Sequence, residues 1–221
     1  MPMLTPKFKL TAEQNIFLAK RNMVDYVYNS AKLEGCNVTF PETQTILNGV
    51  NVGSVTLNDI QTILNLRDAW KFLFANTKTP FDLPFICKIN EYISRNESLE
   101  WGALRTGKVG ISGTDYIPPV PEKEQIEKEL KKINGIASAT ERAIEFFLWS
   151  VRAQFFWDGN KRTSTLCANK ILIENGEGIF TVKDSLVLEF NKLLLAWYNT
   201  ADRNVIKQWL YENCIVGMEC G

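Results

Sequence analysis

The run Gln154-Phe155-Phe156-Trp157-Asp158-Gly159-Asn160-Lys161-Arg162 combines side chains that could handle an anion and a metal. A helical pattern ends near Phe156, a turn containing Gly159 follows, and a new helical pattern begins near Lys161. Backbone N–H groups at the start of a helix have no intrahelical partner, and the helix dipole adds partial positive charge there. An anion is therefore favoured at such a junction. Lys161 and Arg162 place two full positive charges beside it. Gly159 allows the backbone to approach a phosphate closely. Asp158 offers the oxygen that Mg²⁺ prefers next to phosphate groups. The pattern is not a Walker loop, since no GxxxxGK[ST] occurs. The same residues suit a second role: Asp158 and Asn160 are good caps for the helix that follows.

The chain contains no histidine. That excludes Ser-His-Asp and Cys-His nucleophile chemistry of the usual kind, and most catalytic metal sites. Proton transfer falls to a carboxylate, Lys, Tyr, Cys or water. The five cysteines, at 36, 87, 167, 214 and 220, are scattered without CxxC spacing. They read as reduced core thiols, which fits a cytoplasmic location, and not as a disulfide framework or zinc site. Lys+Arg and Asp+Glu both number 25. The balance removes any bulk attraction to nucleic acid or an anionic membrane. No run approaches the roughly 18 apolar residues of a membrane span. Met1 to Lys7 lacks the layout of a secretory signal. Neither nucleic acid nor membrane is expected as a partner.

These residues need a scaffold, and the periodicity makes it helical. With 45% hydrophobic and 11% aromatic residues, 221 residues can bury one large core. The spacing of Ile16, Ala19, Met23, Tyr26 and Val27 predicts a helix over 11–33, with Thr11 as its cap. Thr39 caps a second, with Pro41 in its first turn. Further helices are expected over 57–74, from Thr79-Pro80 to about 93, over 122–133 and over 140–156. Others run from Gly159-Asn160 to Asn175-Gly176, over 183–198 and over 202–213. The first 40 residues read as an N-terminal helical segment and 41–221 as the main domain with its C-terminal helices. One stretch, 105–117, breaks the pattern: Val109 and Ile111 alternate, Ser112-Gly113 offers a turn, and Tyr116-Ile117 can return as a strand. It reads as a connecting loop or as a hairpin flap near 107–117. In the second case the edge formed by Lys108, Val109, Gly110, Ile111, Ser112 and Gly113 could pair with an extended peptide. The fold class is all-α with one short β-hairpin.

The segment 154–162 resembles the Fic/Doc family motif HxFx[DE]GN[GK]RxxR, matching at Phe156, Asp158, Gly159, Asn160, Lys161 and Arg162. Gln154 stands where the family carries histidine, and Thr165 where it carries the final arginine. Ser30-Ala31-Lys32-Leu33-Glu34-Gly35 is similar to the [ST]xxxE[GN] inhibitory motif of members regulated from the N-terminal side. The segment with Gly107, Ile111, Gly113, Tyr116 and Pro118-Pro119 resembles the hairpin before the family core.

The resemblance implies a helical domain that transfers AMP from ATP to a Ser, Thr or Tyr hydroxyl of a protein. It implies ATP and Mg²⁺ as cofactors, Asp158 as metal ligand, and Gly159, Asn160, Lys161 and Arg162 as the phosphate cradle. Phe156 would anchor the loop. Ser30 and Glu34 would be regulatory, and either Glu34 uses Arg162 or the brake is inoperative. The family's histidine takes the hydroxyl proton. A glutamine amide can orient a hydroxyl but cannot accept its proton at neutral pH. Activity is therefore expected to be weak or lost. The alternatives are a non-catalytic nucleotide-binding regulatory module and a Doc-like phosphotransferase.

Overall fold

The computed structural model describes residues 3–218. Its helices are α1 (Ala12–Arg21), α2 (Met23–Leu33), α3 (Phe40–Leu47), α4 (Leu57–Ala75), α5 (Leu83–Ile93), α6 (Lys123–Asn134) and α7 (Ala139–Ala153). They continue with α8 (Asn160–Asn175), α9 (Val187–Thr200) and α10 (Asn204–Cys214). A 3₁₀ turn at Asp184–Leu186 leads into α9. Two two-residue strands, β1 (Ile179–Phe180) and β2 (Ile215–Val216), pair antiparallel with Phe180 opposite Ile215.

Local sequence sets the helix starts. Thr11 accepts from Gln14 N while the Gln14 side chain accepts from Thr11 N, a reciprocal capping box. Thr39 and Glu42 form the same device at α3. The expected helix over 11–33 is broken at Asn22, whose side chain donates to Leu18 O at 3.0 Å. Asparagine competes for backbone groups in this way, and one helix becomes two.

The core is organised around α8, packed against α7, α5, α4 and α1. Every residue from Arg162 to Ile173 is buried. A helix enclosed on all sides is normally apolar all round, yet this one carries Thr163, Ser164, Thr165, Asn169 and Lys170. Each buried polar group needs a partner, and several are found across the core. Ser164 shares a hydrogen bond of 2.7 Å with Ser150 of α7. The Asn169 amide exchanges two bonds of 2.8 Å with the backbone of Phe180, which ties β1 to α8. Lys170, fully buried, donates to Thr77 O and Glu174. The first forty residues join the same core through Ala19, Tyr26, Val27, Ala31 and Leu33. No helix among the described residues is long and apolar enough to cross a membrane.

The helical class stands, but the hairpin at 107–117 does not form. Those residues carry no strand; the one tight feature is a turn in which Thr114 N donates to Ile111 O at 3.4 Å. The cause lies in Arg105, which is 1% exposed. Its Nε donates to Gln154 O, its Nη1 to Gly107 O and its Nη2 to Pro119 O, each at 2.5 Å. Longer contacts of 3.4 Å reach Pro118 O and Ala153 O. One guanidinium thus ties both ends of the segment, Gly107 and Pro118-Pro119, to the end of α7, and the two prolines have no N–H to extend a ladder. The segment 105–119 is a loop clasped to the end of α7.

Candidate active site

The loop between α7 and α8 is braced from below by α5. Asn90 Nδ2 and Ser94 Oγ each donate to Asp158 O at 3.0 Å, and Asn90 Nδ2 also reaches Thr163 Oγ1 at 3.1 Å. Asn160 closes the loop on itself: its Nδ2 donates to Phe156 O at 2.8 Å and its Oδ1 accepts from Phe156 N at 3.0 Å. These two bonds use one of its two amide N–H groups and one of its oxygen lone pairs, and Asn160 also lines the cavity described below. Phe156 is 1% exposed.

Gly159 has φ 71° and ψ 14°, in the left-handed region. A Cβ there would lie 2.7 Å from Ile93 Cγ2 and closer still to Ser94 Oγ. Both the backbone and the space demand glycine. Gly159→Ala should cost at least about 1–2 kcal/mol from the left-handed backbone alone. The clash with α5 adds to this. Urea denaturation measures it, and an unchanged midpoint would count against this packing.

Above the loop lies a cavity of about 480 Å³ lined by Glu34, Gln154, Trp157, Asp158, Lys161 and Tyr198, with Val109 to Ser112 along one rim. Gln154 closes α7 in the left-handed conformation, φ 49° and ψ 68°. Its Nε2 turns back to Val151 O at 2.6 Å. Tyr198 donates to the same carbonyl at 3.2 Å. Burial, and then the charge of Glu34, pushes the Tyr198 phenol far above its ordinary pKa. It is a poor proton acceptor.

Charged groups cluster at and behind the cavity wall: Glu34, Asp158 and Lys161 line it, whereas Gly159, Arg162 and Glu97 do not. Glu34, the last residue of the α2 turn, lies 3.6 Å from Lys161 Nζ and 3.5 Å from Arg162 Nε. Ser30 is buried one turn earlier and does not line the cavity. Arg162 Nη1 meets Glu97 Oε2 at 2.6 Å, and its Nη2 lies 3.5 Å from Asp158 Oδ2. Burial pulls the Arg162 pKa down, but Glu34, Glu97 and Asp158 together outweigh it and hold the guanidinium charged. Asp158 is half exposed, with Oδ1 taking Gly159 N at 2.6 Å. Three polar atoms beside the cavity are buried without a hydrogen-bond partner: Arg162 Nε, Glu34 Oε1 and Trp157 Nε1. The indole of Trp157 also supports the flap loop, since a Cβ on Gly107 would touch it at 2.7 Å. Lys108 and Gly113 lie outside the lining.

Residues 80–172 match the model of the Fic/DOC family. The chain carries a Fic/DOC family domain. The match covers α5 through most of α8, and so the braced loop and its motif, while Glu34 and Tyr198 fall outside it. The chain is 24% identical over 161 residues to protein adenylyltransferase fic-1 of Caenorhabditis elegans, covering 68% of this chain and 32% of the relative. It is 26% identical over 170 residues to protein adenylyltransferase Fic of Nematostella vectensis, covering 71% and 39%. The chain thus spans a third to two fifths of the length of these curated relatives. Among solved structures it is similar to C. elegans Fic-1 (residues 134–508), with TM-score 0.76, 21% identity, and coverage of 89% of this chain and 62% of that one. It also resembles a Fic domain containing signaling protein of Bacteroides thetaiotaomicron, with TM-score 0.72, 18% identity and coverage of 92% and 88%. These structural likenesses establish the Fic/DOC fold.

Three residues at or near this cavity carry no local signal of their place in it. Glu97 lies 65 residues before Arg162 and belongs to no local pattern. Tyr198 reaches the cavity from α9. Arg105 opens the loop segment, and only the glycine-rich run that follows it marks the region.

Proposed function

We propose that this domain binds ATP with Mg²⁺ in the cavity above Gly159 and transfers AMP slowly to a protein hydroxyl, with Gln154 limiting the rate. The carrying observation is Arg162 Nε, a buried donor with no hydrogen-bond partner, beside the start of α8. A phosphate oxygen is the group that suits it. A cavity of about 480 Å³ falls within the size range of small-molecule sites.

Three carboxylates, Glu34, Glu97 and Asp158, surround two cations, Lys161 and Arg162. The cluster is net negative by one charge. Phosphates alone would be repelled, so a divalent cation fits the arrangement, and the half-exposed Asp158 is the residue that would hold it. When bound, Mg²⁺ supplies neutralisation of phosphate charge. Lys161 and Arg162 orient the phosphates. The attacking hydroxyl oxygen forms a bond to the α-phosphorus, pyrophosphate leaves, and the hydroxyl proton must go to water or a carboxylate because Gln154 cannot take it. Glu34, near the edge of Arg162 that a phosphate needs, is read as a brake. Positioning and charge stabilisation carry much of phosphoryl-type transfer, so a slow reaction survives without the base.

The test is incubation with α-labelled and γ-labelled ATP together with a cell lysate. Slow transfer of the α-label to protein supports this reading. Transfer of the γ-label alone replaces it with a phosphotransferase, and nucleotide binding with neither label transferred replaces it with a non-catalytic nucleotide-binding module.

A further inference from the structure

Arg162 is gripped unevenly. Its Nη1 donates to Glu97 Oε2 at 2.6 Å and to Ile93 O at 3.3 Å. Its other edge, Nε with Nη2, presents two parallel N–H groups suited to a bidentate oxyanion. That edge faces Glu34 Oε2 and Asp158 Oδ2, each at 3.5 Å. These separations exceed the roughly 2.7–2.9 Å of a charge-assisted hydrogen bond. Glu34 and Asp158 line the cavity, Arg162 lies directly behind them, and Glu97 lies behind Arg162.

Glu97 is itself held in place. It sits in the turn after α5, where its N donates to Ser94 O at 3.0 Å. Its Oε1 accepts from Asn65 Nδ2 of α4 at 2.8 Å. Asn65 also donates to Ile93 O and Arg95 O and accepts from Gln61 Nε2. The chain Gln61–Asn65–Glu97–Arg162 therefore runs from the framework helix α4 to the guanidinium.

We propose that Glu97 is a positioning residue that grips Nη1 of Arg162 from outside the cavity and so keeps the Nε–Nη2 edge turned toward a nucleotide phosphate. This rests on the nucleotide reading above. Without Glu97, the guanidinium closes onto Glu34, Asp158 being taken by the divalent cation, and the edge is lost to phosphate. Glu34 is then a competitor for the same edge, and the two glutamates act in opposite directions on one side chain.

The experiment is calorimetric titration of the whole chain with ATP and Mg²⁺, with folding of each variant checked by circular dichroism. Glu97→Ala is expected to weaken binding about tenfold or more, the scale of a hydrogen bond to a charged group. Glu34→Ala is expected not to weaken it. The double variant should return to within a few-fold of Glu34→Ala, because the competing carboxylate is gone. Damage to the fold would instead weaken binding equally in both backgrounds. Should Glu97→Ala fail to fold, Glu97→Gln keeps an acceptor for Nη1 without the charge and should show a smaller loss, again relieved by Glu34→Ala. Affinity unchanged in the Glu97 variants, or a double variant as weak as the single, overturns the inference while leaving the nucleotide reading intact. If the wild-type chain binds no nucleotide, both fall.

Discussion

Gln154→His raises transfer of label from α-labelled ATP to an acceptor hydroxyl by about 10²–10⁴-fold, the range a general base supplies. The position already lines the cavity beside Val109 to Ser112. Its left-handed backbone, φ 49°, is one that histidine tolerates better than most residues. The Arg105 contact to the residue-154 carbonyl is independent of the side chain, so the backbone is held in either case. No neighbour stands ready to substitute. Tyr198 is pushed away from proton acceptance by burial and by Glu34. Glu34→Ala alone should change the rate little, because releasing a brake restores no base. Combined with Gln154→His it should exceed either change. Equal labelling by the wild type and Gln154→His would show that the missing base at position 154 does not limit the rate.

Arg162→Ala should lower folding stability by about 3–5 kcal/mol, the cost of breaking a buried ion pair, and should abolish calorimetric nucleotide binding. The guanidinium is 5% exposed and faces Glu34, Glu97 and Asp158. Removing it leaves these carboxylates facing one another around the single remaining charge of Lys161. The penalty therefore comes from uncompensated charge more than from lost contact. Adding Glu97→Gln to Arg162→Ala should recover part of the stability for that reason. Arg162→Lys should keep much of the stability but not the binding, since an ammonium lacks the two-pronged edge. Urea unfolding gives the first quantity and titration the second. An Arg162→Ala chain with a wild-type midpoint would show that the cluster is not buried as described.

What the sequence makes legible is local. Both capping boxes, the turn at Gly159 and most helix spans follow from residues within a turn of each other. The loop motif is also contiguous, so neighbouring residues alone carry its resemblance to the Fic/DOC family. The failures share the opposite property. Alternation at Val109 and Ile111 predicts a hairpin, but a residue outside that alternation, Arg105, instead holds both ends of the segment against α7. That the Asn160 amide also closes the loop on Phe156 could not be read from the motif, because the bond depends on the turn between them. Glu97 reaches Arg162 only because α4 and α5 place it there. The strands β1 and β2 are two residues each, too short for any alternation to announce them.

The Arg105 clasp makes the loop and the end of α7 a single cooperative unit. Among the described residues no carboxylate pairs with this buried cation; backbone carbonyls from three places satisfy it at once. Swinging the loop outward by itself would strand the guanidinium with half its acceptors missing, a penalty incurred in full before anything is gained. Small outward motions of the loop's two ends are therefore suppressed, and their release comes as a discrete local unfolding event that also frees the backbone at Gln154. On the proposed function, an acceptor peptide would meet a loop whose two ends are set in advance, and the backbone at Gln154 would be held by the same guanidinium.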